Sequence, residues 1–343
     1  MIISRTPFRI SFFGGGTDYP AWYRKNGGAV LATTIDKYCY ITCRYLPPFF
    51  DHRYRIVYSK VERVMDIPHI EHPSVKAVLG FMGIKDGMEV HHDGDLPART
   101  GLGSSSAFTV GILNALHAYK GCMSPKKRLA KEAIHIERNV LRENVGSQDQ
   151  ALVAIGGFNK VEFTDDDDFL VTPITIGRER LEGIEKHLLL YFTGFSRYAS
   201  EVAKAQIENT EKKKPELAIM QQMVDEAISI INAPSSHLDE FGRLLHEAWM
   251  LKRSLSDRIT NPKIDEIYEA ARSSGAIGGK LLGAGGGGFM LFFAKPTDQP
   301  LIEQRLKGLL RVPFRFENQG SQIIFFQPDI TPEITKGLKY ANA

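Results

Sequence analysis

Three glycine clusters interrupt this chain at points where no regular strand or helix passes easily: Gly14-Gly15-Gly16, Gly101-Leu102-Gly103, and the run from Gly283 to Gly288. Glycine tolerates φ > 0 and lets a backbone come close to a ligand or to another backbone. The fold must therefore make tight turns at these three places, and the flanking residues say what each turn joins. Residues 1–13 read as a strand, with Pro7 as an interruption. A helix is expected from Ser104 or Ser105 to about Lys120, with Phe108, Ile112, Leu113 and Leu116 at helical spacing. The third cluster runs straight into Phe289 to Phe293, which reads as a strand.

Further strands are expected over 28–46, 53–60 and 88–92. A second helix is marked by Ser124 as a cap and Pro125 at the first helical position, and it runs to about 143 with Leu129, Ala133, Ile136 and Val140 on one face. Two strands, 158–163 and 169–176, bracket Asp165-Asp166-Asp167-Asp168. A solvated hairpin tip explains these acids better than a metal site, because adjacent carboxylates diverge in a turn. A strand at 188–192 opens a second lobe, followed by helical stretches near 199–231, 237–256 and 262–274, the strand after the glycines, a helix near 298–310 and a last strand over 322–327. The order implies an α+β chain of two lobes, 1–180 and 181–343, meeting somewhere in 175–187.

With 43 Lys and Arg against 40 Asp and Glu, the formal charge of +3 gives no footprint for nucleic acid. The three cysteines, Cys39, Cys43 and Cys122, form no CxxC pair, which argues against zinc or a disulfide framework and for reduced thiols in the cytoplasm. No signal peptide or membrane span is expected.

The chemistry is concentrated around the glycines. In Pro97-Ala98-Arg99-Thr100-Gly101-Leu102-Gly103-Ser104-Ser105-Ser106-Ala107-Phe108, glycines precede a helix whose free N–H groups and positive dipole end favour phosphate. The serine hydroxyls suit phosphate oxygens or Mg²⁺. The segment lacks the lysine of a GxxxxGK[ST] loop. The C-terminal cluster contains a literal GxGxxG at Gly283, Gly285 and Gly288, but a dinucleotide fingerprint follows a strand and opens a helix, whereas this one opens a strand. The acid expected about 20 residues on is also missing, since Gly308 lies at that distance from Gly288 and Glu303, counted from Gly283, falls in an expected helix. A glycine loop packed close to the first phosphate loop fits better. The N-terminal segment, Pro7 to Tyr19, places Arg9 before the glycines and Asp18 after them.

Together these segments resemble the GHMP kinase family, named for galactokinase, homoserine kinase, mevalonate kinase and phosphomevalonate kinase. The motif PxxxGLGSSxA is matched by Pro97 through Ala107, the glycine-rich third motif by Leu282 through Phe289, and the sugar-kinase pattern PxRxxxxGxxTDY by Pro7, Arg9, Gly14, Thr17, Asp18 and Tyr19. Gly14-Gly15-Gly16 stands where galactokinases have GEH. The GGGTDYP and KLLGAGGGGF variants are most similar to one branch, the bacterial D-glycero-D-manno-heptose 7-phosphate kinases, which phosphorylate an anomeric hydroxyl; that branch also holds fucokinase-like enzymes.

The resemblance implies a ribosomal S5 domain 2-like N-terminal lobe and a ferredoxin-like C-terminal lobe. It implies ATP and Mg²⁺ as cofactors and a small sugar or sugar phosphate as the other partner, with neither nucleic acid nor membrane involved and no indication of oligomeric state. ATP is expected on Pro97, Gly101, Leu102, Gly103, Ser104, Ser105, Ser106 and Ala107. Mg²⁺ is expected on Ser105 and Glu137, the sugar on Gly14, Gly15, Gly16, Thr17, Asp18, Gly285 and Gly286, and catalysis is expected from Asp149, in Gly146-Ser147-Gln148-Asp149-Gln150, beside Arg9. A phosphate on the acceptor needs cations, for which Arg24, Lys25, Arg99, Arg138 and Lys280 are candidates. The alternatives are a family member acting on mevalonate or homoserine, a fucokinase- or galactokinase-like sugar 1-kinase, and a non-catalytic sugar sensor.

Overall fold

The computed structural model describes residues 1–195, 199–233 and 237–328. Its first sheet is built on two long strands, β1 (Ile2–Phe13) and β2 (Gly28–Tyr45), paired antiparallel. The pairing slips between Pro7 and Phe8, as expected of a residue with no N–H to give to the ladder. The 18 residues of β2 serve two partners in succession. Its first part, 28–33, pairs with β6 (Phe158–Phe163), and its last part, 39–45, with β5 (Met88–Gly94). Strands β3 (Tyr54–Val57) and β4 (Val61–Val64) extend the sheet beyond β5, and β7 (Phe169–Pro173) pairs with β6. Helix Ser104–Tyr119 lies on this sheet, buried from Ser106 to His117.

The acidic hairpin tip between β6 and β7 is tied down by cations. Asp167 pairs with Arg24, and Asp168 with Lys127 at 2.9 Å and Lys131 at 3.1 Å. No cluster of three or more metal-ligating side chains occurs among the described residues.

The chain leaves the first sheet after β7, passes through helix Arg178–His187 and enters a second sheet at β8 (Leu188–Phe192). The stretch expected as one helix over 199–231 is two, Ala199–Glu208 and Lys214–Asn232, and these are followed by Leu238–Ser254 and Pro262–Arg272. Then come β9 (Ala276–Leu281), β10 (Phe289–Ala294), helix Gln299–Arg305 and β11 (Leu310–Arg311). The order β11-β8-β10-β9, antiparallel throughout, is the ferredoxin-like arrangement.

The last strands depart from the expected order. β12 (Phe316–Glu317) pairs with β2 and β13 (Gln322–Phe326) with β1, so the last described strands lie in the first sheet and not the second. No helix among the described residues is long and apolar enough to cross a membrane.

An aromatic cluster joins the lobes. Phe241, on the 238–254 helix, sits edge-on to Phe12 at 5.6 Å and Phe13 at 5.1 Å in the first sheet and packs on Phe293 at 5.5 Å in the second. It is fully buried. Phe241→Ala is expected to cost about 3–5 kcal/mol, read as a lowered denaturant midpoint.

Candidate active site

The three glycine turns meet at one cavity of about 380 Å³ between the lobes. Gly101 and Gly283 form the contact that closes it. A Cβ on Gly101 would stand 2.3 Å from the Leu282 carbonyl oxygen, and one on Gly283 would stand 2.4 Å from the Gly101 Cα. Both residues have left-handed φ, 84° and 75°. Phe289 N–H donates to the Thr100 carbonyl at 3.2 Å, which locks the two loops together.

From this contact the chain enters helix Ser104–Tyr119, whose first turn opens on the cavity. The serines point to different partners. Ser104 Oγ accepts from the Arg99 N–H at 3.1 Å, Ser106 Oγ donates to Glu137 Oε2 at 3.0 Å, and the exposed Ser105 lines the cavity.

Glu137 owes its position to a local departure from α-helix. The helix expected over 125–143 runs from Lys126 to His135 and continues as a π turn, Ile136–Val140. Pro125 occupies the N-cap position, and Ser124 makes no cap bond. A π turn adds a residue to the helical circuit, and Glu137 within it is completely buried behind the phosphate loop. Gln150 Nε2 donates to its Oε2 at 2.5 Å, and Oε1 has no partner. Burial pushes the Glu137 carboxyl up to about 7. A buried carboxylate oxygen lacking a partner, behind a helix start that carries three serine hydroxyls, is the oxygen chemistry that Mg²⁺ takes.

Against the phosphate loop Arg9 and Asp149 form a fork. Arg9 Nε donates to Asp149 Oδ1 and Nη2 to Oδ2, both at 2.7 Å, while Nη1 holds the Gly101 carbonyl at 2.6 Å. Asp149 stands in the first turn of helix Gln148–Ile155 with its carboxylate about a quarter exposed. Asp18 is buried beside it and accepts the Gly16 N–H at 2.9 Å. Its carboxylate fits only because residue 146 is glycine, where a Cβ would lie 1.8 Å from Asp18 Oδ2. Burial, with Asp149 nearby, raises the Asp18 carboxyl above its usual range. Ser11 Oγ, Gln148 Oε1 and Gln206 Nε2 are buried at this end of the cavity without hydrogen-bond partners. Such groups cost free energy unless something bonds them, and a polyhydroxylated molecule supplies what they lack.

Residues 72–157 match the family described as GHMP kinases N terminal domain, and residues 212–310 match GHMP kinases C terminal. The chain belongs to the GHMP kinase family. It is an ATP-dependent phosphotransferase of that family. It is 29% identical over 323 residues to a D-glycero-alpha-D-manno-heptose 7-phosphate kinase from Campylobacter jejuni, an alignment covering 87% of this chain and 91% of that one. It is 33% identical over 245 residues to a mevalonate kinase from Pyrococcus horikoshii, covering 69% of each. A crystal structure of a D-glycero-D-manno-heptose 1-phosphate kinase from Bacteroides thetaiotaomicron shares the fold, with a TM-score of 0.75 at 24% identity over 95% of this chain and 100% of that one.

Within this kinase the expected site residues divide into two groups. Arg9, Gly15, Gly16, Asp18, Gly101, Gly103, Ser104, Ser105, Ser106, Glu137 and Asp149 line the cavity. Gly14, Thr17, Pro97, Leu102, Ala107, Gly285 and Gly286 do not; they build the turns that shape it. Thr17 Oγ1 donates to the Gly14 and Ala29 carbonyls, Pro97 O accepts from Thr100 Oγ1, and Gly286 N–H donates to Ile259 O. Of the candidate cations, Arg24 and Arg138 pair with Asp167 and Lys25 pairs with Glu211, whereas Arg99 and Lys280 reach the cavity. Lys252, Gln206 and Ser11 were not expected there. The signal for Lys252 is present in the sequence, since it continues the apolar stripe Phe241, Leu245, Ala248 and Trp249 of the 238–254 helix.

Proposed function

We propose that this kinase transfers the γ-phosphoryl group of ATP to the anomeric hydroxyl of D-glycero-D-manno-heptose 7-phosphate, giving the 1,7-bisphosphate. The observation that carries the reading is the placement of the Arg9–Asp149 fork and Asp18, with the unbonded Ser11 Oγ, Gln148 Oε1 and Gln206 Nε2, in one cavity with the phosphate loop. The Asp18 carboxylate and these polar groups suit an acceptor rich in hydroxyls. The likeness to the Campylobacter jejuni enzyme along most of both chains supports this acceptor.

In the proposed reaction ATP phosphates lie on the 101–106 backbone and the start of the 104–119 helix. Asp149 accepts the hydrogen bond of the attacking hydroxyl, aims it at Pγ, and receives its proton late, as the new O–P bond forms and the bond to the ADP oxygen breaks. Arg9 holds the Asp149 carboxylate in plane. Glu137, through Oε1, and Ser105 are the proposed ligands of Mg²⁺, which when bound offsets charge on the phosphates. Asp18 and the polar groups beside it orient the sugar. The buried free thiols Cys39 and Cys43 accord with a cytoplasmic location.

The acceptor is tested by following ATP consumption against heptose 7-phosphate, unphosphorylated heptose, fucose, galactose and mevalonate. Heptose 7-phosphate is expected to give the highest kcat/KM, with the new phosphorus signal on C1. A preference for fucose, galactose or mevalonate would overturn the assignment.

The metal ligands are tested separately. Ser105→Ala is expected to raise the Mg²⁺ concentration for half-maximal activity by roughly 10-fold, with a smaller effect from Ser106→Ala. The reverse order would move the ligand role to Ser106.

A further inference from the structure

Lys252, with Arg99 and Lys280, is one of the cavity-lining cations that the roles above leave unused. It stands where the apolar stripe of the 238–254 helix reaches the cavity and is 5% exposed, and its Nζ donates to the Gly283 carbonyl at 2.5 Å. Gly283 is the residue packed on Gly101, and the Gly101 carbonyl is held by Arg9. The loop contact is thus gripped from both sides, one carbonyl by each cation. Arg9 is neutralised by its fork to Asp149, whereas Lys252 has no carboxylate at ion-pair distance among the described residues. Burying an ammonium without a counter-charge is unfavourable. An ammonium has three donors, and one suffices for Gly283.

We infer that Lys252 is a positioning and charge-supplying residue for phosphoryl transfer, clamping Gly283 against Gly101 while offering its remaining donors to the phosphoryl oxygens in flight. The inference rests on the kinase activity and not on which sugar accepts.

The electrostatics make the idea measurable. The groups that face Lys252 are Arg9 from β1, Asp18 from the turn after it, Asp149 from the 148–155 helix and Lys280 from β9. Burial lowers the Lys252 pKa to about 8; Arg9 lowers it too, and Asp18 and Asp149 oppose the shift. Lys280 is itself pushed well down by burial and by Lys252, and it donates to the Phe12 carbonyl at 2.7 Å. The charged form of Lys252 is the one that serves phosphoryl oxygens, so activity is lost as pH rises through this value.

The experiment is a kcat/KM profile from pH 6 to 10, which reports the free enzyme, using Mg·ATP and whichever panel sugar turns over. Wild type is expected to fall about 10-fold per pH unit above a break near 8. Lys252→Arg, whose guanidinium stays charged, is expected to lose that break while keeping activity at pH 7.5 within about 10-fold. Lys252→Met is expected to lower kcat by about 10²-fold at every pH with KM for ATP little changed. A clamp with no charge role would leave the break where it is in Lys252→Arg. That result, an unbroken wild-type profile, or near wild-type kcat in Lys252→Met would overturn the inference. Protein labelled with ¹³C at the lysine ε carbon gives a reading independent of any acceptor and of whether Lys252→Met folds. A resonance titrating near 8 that Lys252→Arg removes is expected; if the removed resonance titrates at an ordinary lysine value, the inference fails.

Discussion

Asp149→Asn should lower kcat by about 10²–10⁴-fold while leaving the KM for ATP within about three-fold. The substitution preserves size and one oxygen, so the hydroxyl can still be approached. It removes the site that receives the proton, and it replaces one of the two oxygens that accept from Arg9 at 2.7 Å with an NH₂ group that cannot accept. ATP binding depends on backbone N–H groups of the loop and helix start, and the loop keeps its other ties to Arg9, through the Arg9 N–H to the Leu102 carbonyl, and to residue 283. The contrast between a collapsed kcat and a retained nucleotide affinity, measured by steady-state kinetics and by binding of a non-hydrolysable ATP analogue, distinguishes this role from general damage. Turnover near wild type would remove Asp149 from the proposed chemistry.

Gly283→Ala should be severely damaging for a change of a single methyl group. The new carbon would lie 2.4 Å from a Cα and 3.1 Å from the Gly101 carbonyl oxygen, both backbone atoms with no rotamer to change. The left-handed φ adds about 1–2 kcal/mol, and forced separation of packed atoms adds about 1–3 kcal/mol. Moving the loops apart also draws the Gly101 carbonyl from Arg9 and the Gly283 carbonyl from Lys252. A displacement on the order of 1 Å at such a site costs about 10²-fold in rate, so kcat/KM should fall by at least that factor together with the melting temperature. Gly80→Ala, in helix Pro73–Phe81 with nothing within 4 Å of the added carbon, is the control, and it should leave both unchanged or slightly improved.

What could be read from the chain alone follows the range of the forces involved. The glycine turns, the strand before the first and the helix after the second are local, and their residues state them directly. Asp149, Arg9 and Glu137 were legible through spaced motifs, but the reason for each placement was not. The π turn that buries Glu137 has no marker residue, and the need for glycine at 146 appears only when Asp18, 128 positions earlier, is folded against it. Lys252 was hidden for the opposite reason. A lysine on a helix is ordinarily solvated, and only its alignment with Phe241, Leu245 and Trp249 distinguishes it. The strand over 322–327 was visible as a strand, yet nothing in its apolar residues names which sheet will accept it.

That last strand bears on how the enzyme comes to exist. Ile2 to Arg5 find one of their two neighbours only in Gln322 to Phe326, and Met1 O receives its hydrogen bond from Gln327. During synthesis, therefore, β1 emerges with an open edge that is closed only when residues 322–326 have followed it. An exposed edge of this kind invites pairing with other chains. Residues 2–5 and 322–326 are thereby tied into one folding event, and a cut near residue 180 yields a fragment deprived of its own border strand rather than a free-standing lobe.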